Sequence, residues 1–479
     1  MAKQDKVSVS DIPEEGIYDA TKLGGGRMTV LGIQHMFAMF GATILVPILT
    51  GLSVSSTLLF AGVGTLLFHF LTKRKVPAFL GSSFAFIAGY AAIAPNQEPE
   101  LLPYACIGVF CAGFVYLILA ALFKGFGPKK VMRYFPPVVT GPIVIAIGLI
   151  LAGSAITNCE TCWPIAIVAI VIIVVCNIFG RGMIKIIPIL CGVVGSYIVA
   201  ACCGMVDFSS VAEAAWIGAP FAFENTAFAV FQNPDTGLII TAIITIVPLA
   251  FATVIEHIGD ISAISSTCNR NYIADPGLHR TLLGDGLATM LAALFGAPAN
   301  TTYGENTGVL ALTRIFDPRV IRIAACFAIV FSFCPKFAAL IGAMPSATIG
   351  GVSMVLYGMI SGVGIRNLVE NKTDLEKSRN VLIVALTLVL ALGIAYSGSG
   401  SIEFEVAGVT IGLSGLAVGS LVGILLNAIL PGKDFEFDDT LRGEPVSLES
   451  GYGAASGIPT PQPAEAEAAA EDSEATTTA

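Results

Sequence analysis

The sequence predicts an all-α polytopic membrane protein. Its fourteen crossing segments are expected to form two inverted repeats of seven, with the third segment of each repeat a short strand plus half-helix. Three observations predict this. Hydrophobic residues are 55% of the 479 and charged residues only 12%, with 51 glycines, which is not the composition of a soluble domain. Apolar runs near the ~20 residues needed to span a bilayer recur from Met28 nearly to the end. Lysine and arginine fall in alternate gaps between those runs.

Taken in order, residues 1–27 are polar, with Lys3, Asp5, Lys6, Asp11, Glu14 and Glu15, and they lack the apolar core of a signal peptide. They are expected to be a cytoplasmic N-terminal segment. Ordinary spans follow at 28–49, 57–71, 104–123, 138–153, 163–179, 186–203, 238–266, 282–295, 320–341, 350–363, 381–396 and 406–429. Two broken segments, 77–92 and 298–312, bring the twelve to fourteen. Residues 28–237 then form the first repeat, 238–430 the second, and 431–479 an acidic, disordered cytoplasmic tail.

The charge pattern tests the count. With the N-terminus inside, 24 of the 25 basic residues fall on the cytoplasmic side, Arg322 at the cytoplasmic end of its span among them, and only Lys336 falls deeper within a span. The segments assigned outside (50–56, 93–103, 154–162, 204–237, 296–303, 342–349 and 397–405) hold no Lys or Arg. If either broken segment failed to cross, every later loop would change sides and the rule would fail. From Gly432 onward eleven acids face two bases, a net of −9 that equals the net charge of the whole chain. The membrane body is therefore nearly neutral, and the acidic balance carries no message about a substrate.

The broken segments share a plan. VPAFLGSSFAFIAGY (76–90) and GAPANTTYGENTGVLALTR (296–314) each give a proline, a small hydroxylated stretch, an aromatic residue (Phe84 or Tyr303) and a short helical run. Paired, interrupted segments at matching positions of inverted repeats point to a transporter's substrate site. A helix over 304–312 rises about 13 Å, roughly half the hydrocarbon core, so extended chain must cross the rest. Extended backbone at that depth needs protein or a water-filled cavity to satisfy its polar groups. The half-helix N-termini are expected to meet near the midplane and donate N–H groups to solute carbonyls.

Three acids inside apolar runs stand out. Glu305 opens the second half-helix, and Glu256 lies in VPLAFATVIEHIGDISAI with Asp260 one turn on and so on the same helical face. Ionisable groups within a membrane are functional candidates, and no base within the spans other than Lys336 is on hand to neutralise them. Carboxylates beside N–H donors suit a flat lactam or imide ring, on whose face Phe84 or Tyr303 could stack. Most of the eleven cysteines lie in apolar runs, where packing is their ordinary role, and Cys159 and Cys162 form a lone CxxC in an expected outer loop.

At these residues the chain resembles the nucleobase-ascorbate transporter family, also called nucleobase:cation symporter-2, and within it most closely the bacterial uracil permeases. GENTGVLALTR matches the family signature through Glu305, Asn306, Gly308, Thr313 and Arg314. IQHMFAMFGATILVP carries the family's Gln-His pair as Gln34 and His35, and KVPAFLGSSFAF, IEHIGD, DPGLHR and NTTYGEN look like uracil-permease versions of their segments. The resemblance covers nearly all of 28–430. It implies a core domain of spans 1–4 and 8–11, a gate domain of spans 5–7 and 12–14, a homodimer and an elevator-like motion. Carried over by position, Glu256 and Glu305 bind the substrate, Phe84 stacks near the base, and Ala42, Tyr303 and Gly304 line the pocket with backbone contacts. The implied activity is proton-coupled uptake of uracil across the cytoplasmic membrane, with both termini inside.

One departure concerns the proton. The best-known uracil permease of the family has a His four residues after the first Glu, whereas this chain has Asp260, so the proton-coupling residues expected here are Asp260, Glu256 and His35. His257 is about 100° round the helix from Glu256 and does not replace that His. No nucleophile and base constellation, metal cluster or phosphate loop appears, so neither an enzyme, a metal, a cofactor nor a nucleic-acid partner is expected. Two readings stay open beside uracil: a purine (xanthine or urate) permease of the same family, and an anion transporter of the related sulfate-transporter fold, against which the paired acids weigh.

Overall fold

The computed structural model describes residues 16–232, 234–406, 409–433 and 435. Most of the expected N-terminal segment and nearly all of the acidic tail lie outside the described residues. The first half contains α1 (Gly25–Thr50), α2 (Val54–Leu71), β1 (Leu80–Ser82), α3 (Ile87–Ile93), α4 (Leu102–Phe126), α5 (Pro137–Glu160), α6 (Trp163–Phe179) and α7 (Pro188–Cys202). The second contains α8 (Thr236–Thr267, bent by a tight turn at Val247–Leu249), α9 (Leu278–Leu294), β2 (Asn300–Thr302), α10 (Gly304–Thr313), α11 (Pro318–Ser332), α12 (Ser346–Glu370), α13 (Ser378–Ala395), β3 (Ser401–Val406), β4 (Val409–Ser414) and α14 (Gly415–Ile429).

Among the described residues seven helices are long and apolar enough to cross a bilayer, or eight when one bent pair counts as a span. That is fewer than the twelve ordinary spans expected, because α6, α7, α9 and α14 have only 17, 15, 17 and 15 residues. Exposed side chains at Ile167, Val171, Val174 and Ile178 recur at helical spacing along α6, a face that suits lipid or another apolar surface.

Three expectations are corrected. The span expected at 320–341 breaks: α11 stops at Ser332, and Pro335–Gly342 turns away at 85°. Pro335 has no N–H to continue the helix. Lys336 therefore lies beyond the break, in the short helix that turns away. Its ammonium accompanies residues of the segment expected outside, donating to the Ala212 carbonyl at 3.3 Å and standing 5.2 Å from the Trp216 ring centroid. The span expected at 406–429 begins with β4 of an antiparallel hairpin whose ends pair as Ser401 with Ser414, and only α14 is helical. In SIEFEVAGVTIGLS polar and apolar residues alternate with period two around branched side chains, the pattern of a strand. Finally, α5 continues past the expected end at 153 to Glu160, so Cys159 lies within a helix, and it and Cys162 are free thiols.

The broken segments meet each other. β1 and β2 pair antiparallel, Leu80 with Thr302, Gly81 with Thr301 and Ser82 with Asn300. Each outer edge is closed by one threonine hydroxyl from the same half. Thr65 of α2 accepts from the Leu80 N–H at 2.9 Å, and its own proton goes to the Ala61 carbonyl at 2.8 Å, with the Leu80 carbonyl at 3.3 Å. Thr289 of α9 accepts from the Asn300 N–H at 3.2 Å and donates to its carbonyl at 2.9 Å. A hydroxyl is donor and acceptor at once, so Thr289 satisfies both backbone groups of Asn300, which would otherwise be orphaned in an apolar interior.

Helices α5 and α12 approach closely along a seam of small residues. A Cβ on Gly148 would stand 2.2 Å from the Tyr357 carbonyl oxygen, and the Ser361 hydroxyl donates to the Ile145 carbonyl at 3.1 Å. This pair faces α8 and the β1–α3 segment across a cleft.

Candidate functional site

The cleft, together with the open solvent at its mouth, takes up about 640 Å³. Phe84 and Ala85 from the β1–α3 connection and Ala252, Ile255, Glu256 and Gly259 from α8 form one wall; Val144 and Ile147 from α5 and Ile360, Val363 and Asn367 from α12 form the other. Glu256 reaches it because 252, 255, 256 and 259 share one face of α8. Phe84 reaches it because the chain turns out of β1 at Ser83, whose N–H donates to the Ala299 carbonyl at 2.8 Å, and starts a helical turn with the Ile87 N–H on the Phe84 carbonyl at 3.1 Å. Two residues expected to bind substrate thus share the cleft.

The others surround the strand crossing. Gly304 and Glu305 are half-buried in the first turn of α10, whose N-terminus has no side-chain cap, and neither is among the residues lining the cleft. Tyr303 is buried as a structural bridge: its hydroxyl donates to the Ser82 carbonyl at 2.9 Å and accepts from Thr43 at 3.3 Å, while its N–H donates to the Phe79 carbonyl at 3.0 Å. Its ring leaves no room beside Gly81, where a Cβ would stand 2.4 Å from Tyr303 Cε2 and Cζ. Ala42 is buried on α1 in the same apolar cluster as Tyr303.

Asp260 turns toward the crossing rather than the cleft, its Oδ2 accepting from the Thr302 hydroxyl at 2.7 Å. His35 braces α10: Asn306 Nδ2 donates to the His35 carbonyl at 3.0 Å and lies 3.2 Å from His35 Nδ1, an arrangement that suits a proton on Nε2. Glu256 and Asp260 are within electrostatic range of each other and of Glu305 and Asp285, yet among the described residues no Lys or Arg pairs with Glu256, Asp260 or Glu305. Among the described residues no group of three or more His, Cys, Asp or Glu could hold a metal ion.

Sequence reasoning missed three residues. Asp285 is a fully buried acid in α9, 3.0 Å from the Nδ1 of equally buried His257. The rule that singled out Glu256, an acid inside an apolar run, applied to LLGDGLATML as well. Thr302 was read only as part of a hydroxylated stretch, and its bond to Asp260 depends on the fold. Asn367 had no signal, because nothing in α12 alone says that it meets α8.

Comparison with known proteins gives the family. A family model described as a permease family matches residues 26–399. The uracil permease of Bacillus caldolyticus is 42% identical over 418 residues, covering 85% of this chain and 93% of that one. The uracil permease of Escherichia coli K12 is 37% identical over 431 residues, covering 88% and 94%. Among solved structures, the transmembrane domain of the cyanobacterial bicarbonate transporter BicA superposes with a TM-score of 0.53 at 14% identity, covering 86% of this chain and 99% of that one. SLC26A9 gives 0.60 at 13% identity, covering 86% and 66%; at these identities the likeness is one of fold. With mostly helical, apolar architecture, a transporter fold and a family match over most of its length, the chain belongs to the nucleobase-ascorbate transporter family of membrane permeases.

Proposed function

We propose that this protein is a secondary active transporter that carries uracil into the cell with a proton by alternating access. The observation that carries the reading is Glu256 in a cleft whose other lining side chains, Asn367 apart, are apolar and include Phe84. A carboxylate there accepts a ring N–H, an aromatic face covers the flat ring, and dry walls strengthen the hydrogen bond. Glu305 and the uncapped start of α10 supply the next acceptor and N–H donors, as the substrate approaches the strand crossing. Acids without basic partners give a co-transported proton a place to reside, and the Glu256–Asp260 pair, one turn apart, is that place.

In this reading fourteen segments form the seven-plus-seven repeat. The core of segments 1–4 and 8–11 moves against a gate of segments 5–7 and 12–14 in a homodimer of the cytoplasmic membrane, with both termini inside. The division follows the packing of α5 on α12 and of β1 on β2. The substrate assignment draws on the uracil permeases that the chain resembles. Radiolabelled uracil uptake, competed by xanthine, uric acid, thymine and sulfate, tests it. Uracil should compete most strongly and sulfate not at all. Stronger competition by xanthine or uric acid would make this a purine permease, and competition by sulfate would reject the carboxylate site.

A further inference from the structure

Among the described residues the cleft has two polar side chains, one on each wall, and the proposed function uses only Glu256. The other, Asn367, stands on α12 in line with Ile360 and Val363, at positions i, i+3 and i+7 of one helical face. Its carboxamide is held in a fixed orientation: Nδ2 donates to the Thr140 hydroxyl of α5 at 2.7 Å, and Oδ1 accepts from Asn371 Nδ2 at 3.0 Å. Asn371 Nδ2 also donates to the Asn367 carbonyl at 2.8 Å. A primary amide carries two N–H donors and two acceptor lone pairs, so each named bond leaves one donor and one acceptor in hand.

We infer that Asn367 is a specificity-determining residue that reads the substrate from the wall opposite Glu256. The inference rests on the proposed function for its substrate class, a ring whose edge carries N–H beside C=O. A carboxylate only accepts, so Glu256 recognises an N–H and is indifferent to the atom beside it. A carboxamide held in one orientation presents its donor and acceptor in a fixed order, which matches a lactam edge in both atoms and mismatches a ring edge where an amino group and a bare nitrogen reverse that order. The two readings come from opposite walls, so the second is complete only when the walls are closed on the ring. Asn367 thus acts on the closed, transporting state more than on first capture.

The competing explanation is that the Thr140–Asn367–Asn371 chain only staples α5 to α12. Asn367→Leu and Asn367→Ser separate the two, the first removing all polarity and the second leaving a smaller hydroxyl. Purified wild-type protein and both variants are compared for uracil binding, for initial-rate uptake in proteoliposomes with cytosine as competitor, and for thermal midpoint in detergent. Cytosine shares the ring shape but has an amino group and a bare ring nitrogen where uracil has C=O and N–H. The expected result is a rise of about tenfold in the KM for uracil and loss of most of the preference over cytosine in Asn367→Leu. Asn367→Ser should fall between it and wild type, and the thermal midpoints should stay close to wild type. An unchanged uracil-to-cytosine preference, or two variants that lose folded protein or slow every substrate equally, would overturn the inference in favour of the staple. Wild-type protein that binds no uracil would strike the proposed function itself.

Discussion

Replacing Asp260 with Asn separates coupling from binding, and the structure sets the size of each effect. Asp260 Oδ2 accepts from the Thr302 hydroxyl at 2.7 Å and does not line the cleft. Asparagine keeps a carbonyl oxygen in nearly the same place, so Thr302 retains its acceptor. The change from a charge-assisted to a neutral hydrogen bond costs on the order of 1 kcal/mol. Uracil binding by Asp260→Asn should stay within about fivefold of wild type, because 1 kcal/mol corresponds to about that factor. The proton site, in contrast, is gone. One pH unit is worth about 1.4 kcal/mol per proton, so a one-unit gradient, acid outside, should drive about tenfold accumulation in wild-type proteoliposomes. Asp260→Asn should equilibrate uracil and exchange it across the membrane without accumulating it. The assay is radiolabelled uptake with and without the imposed gradient at constant sodium, alongside counterflow in preloaded vesicles. Accumulation by Asp260→Asn, or wild-type uptake that follows sodium in place of protons, would refute the reasoning.

Further measurements address the rest of the site and the fold. Glu256→Gln and Glu305→Gln each set a donor against a substrate N–H in a desolvated place, which should weaken uracil binding by roughly 5- to 150-fold in equilibrium measurements on folded protein; normal affinity in either would remove that residue from the site. In a cysteine-free background, cysteines at Asn96, Ser209, Ser397 and Lys336 should react with an impermeant thiol reagent from outside, and those at Lys129 and Asn371 should not. Labelling of Lys336→Cys from inside alone would contradict its contact with Ala212. Thr289→Val leaves the N–H and carbonyl of Asn300 unpaired at that edge and should cost on the order of 2 to 5 kcal/mol, read as a fall in thermal midpoint, while Thr289→Ser should be close to wild type. A Val variant as stable as wild type would mean the ribbon edge is satisfied some other way.

Much of the architecture was legible because a bilayer constrains sequence strongly. Apolar runs gave helix positions, and prolines followed by hydroxylated stretches marked both segments that lose their helix at 77–82 and 298–303. The pairing of those two segments with each other was not legible, since a partner about 220 residues away leaves no local trace. Local patterns overlooked inside apolar stretches explain other differences. Hydropathy averaged over 406–429 hid the period-two alternation that makes β4, and Pro335 was passed over within a run that looked continuous. At the site, acids in apolar runs pointed to Glu256, Asp260 and Glu305, and the fold adds what each faces. Glu256 faces the cleft and Asp260 a strand hydroxyl, while Tyr303, an aromatic candidate for stacking, spends its ring on Gly81 and its hydroxyl on Ser82.

The ribbon of β1 and β2 also bears on how the chain is made. Leu80 is translated about 220 residues before Asn300, and at about 5 to 20 residues per second the gap is roughly 10 to 45 s. Throughout that interval Thr65 can cover one edge of β1, while the edge that β2 will occupy has no partner from its own chain. Hydrocarbon does not tolerate such an edge, so the nascent first half must wait beside the insertion machinery, or hold this segment out of the lipid, until the second half arrives. Biogenesis should then be complete only once β2 has paired with β1. A chain interrupted before residue 298 should be recognised as unfinished and degraded, and the same fragment should survive when residues 238–479 are supplied as a separate polypeptide.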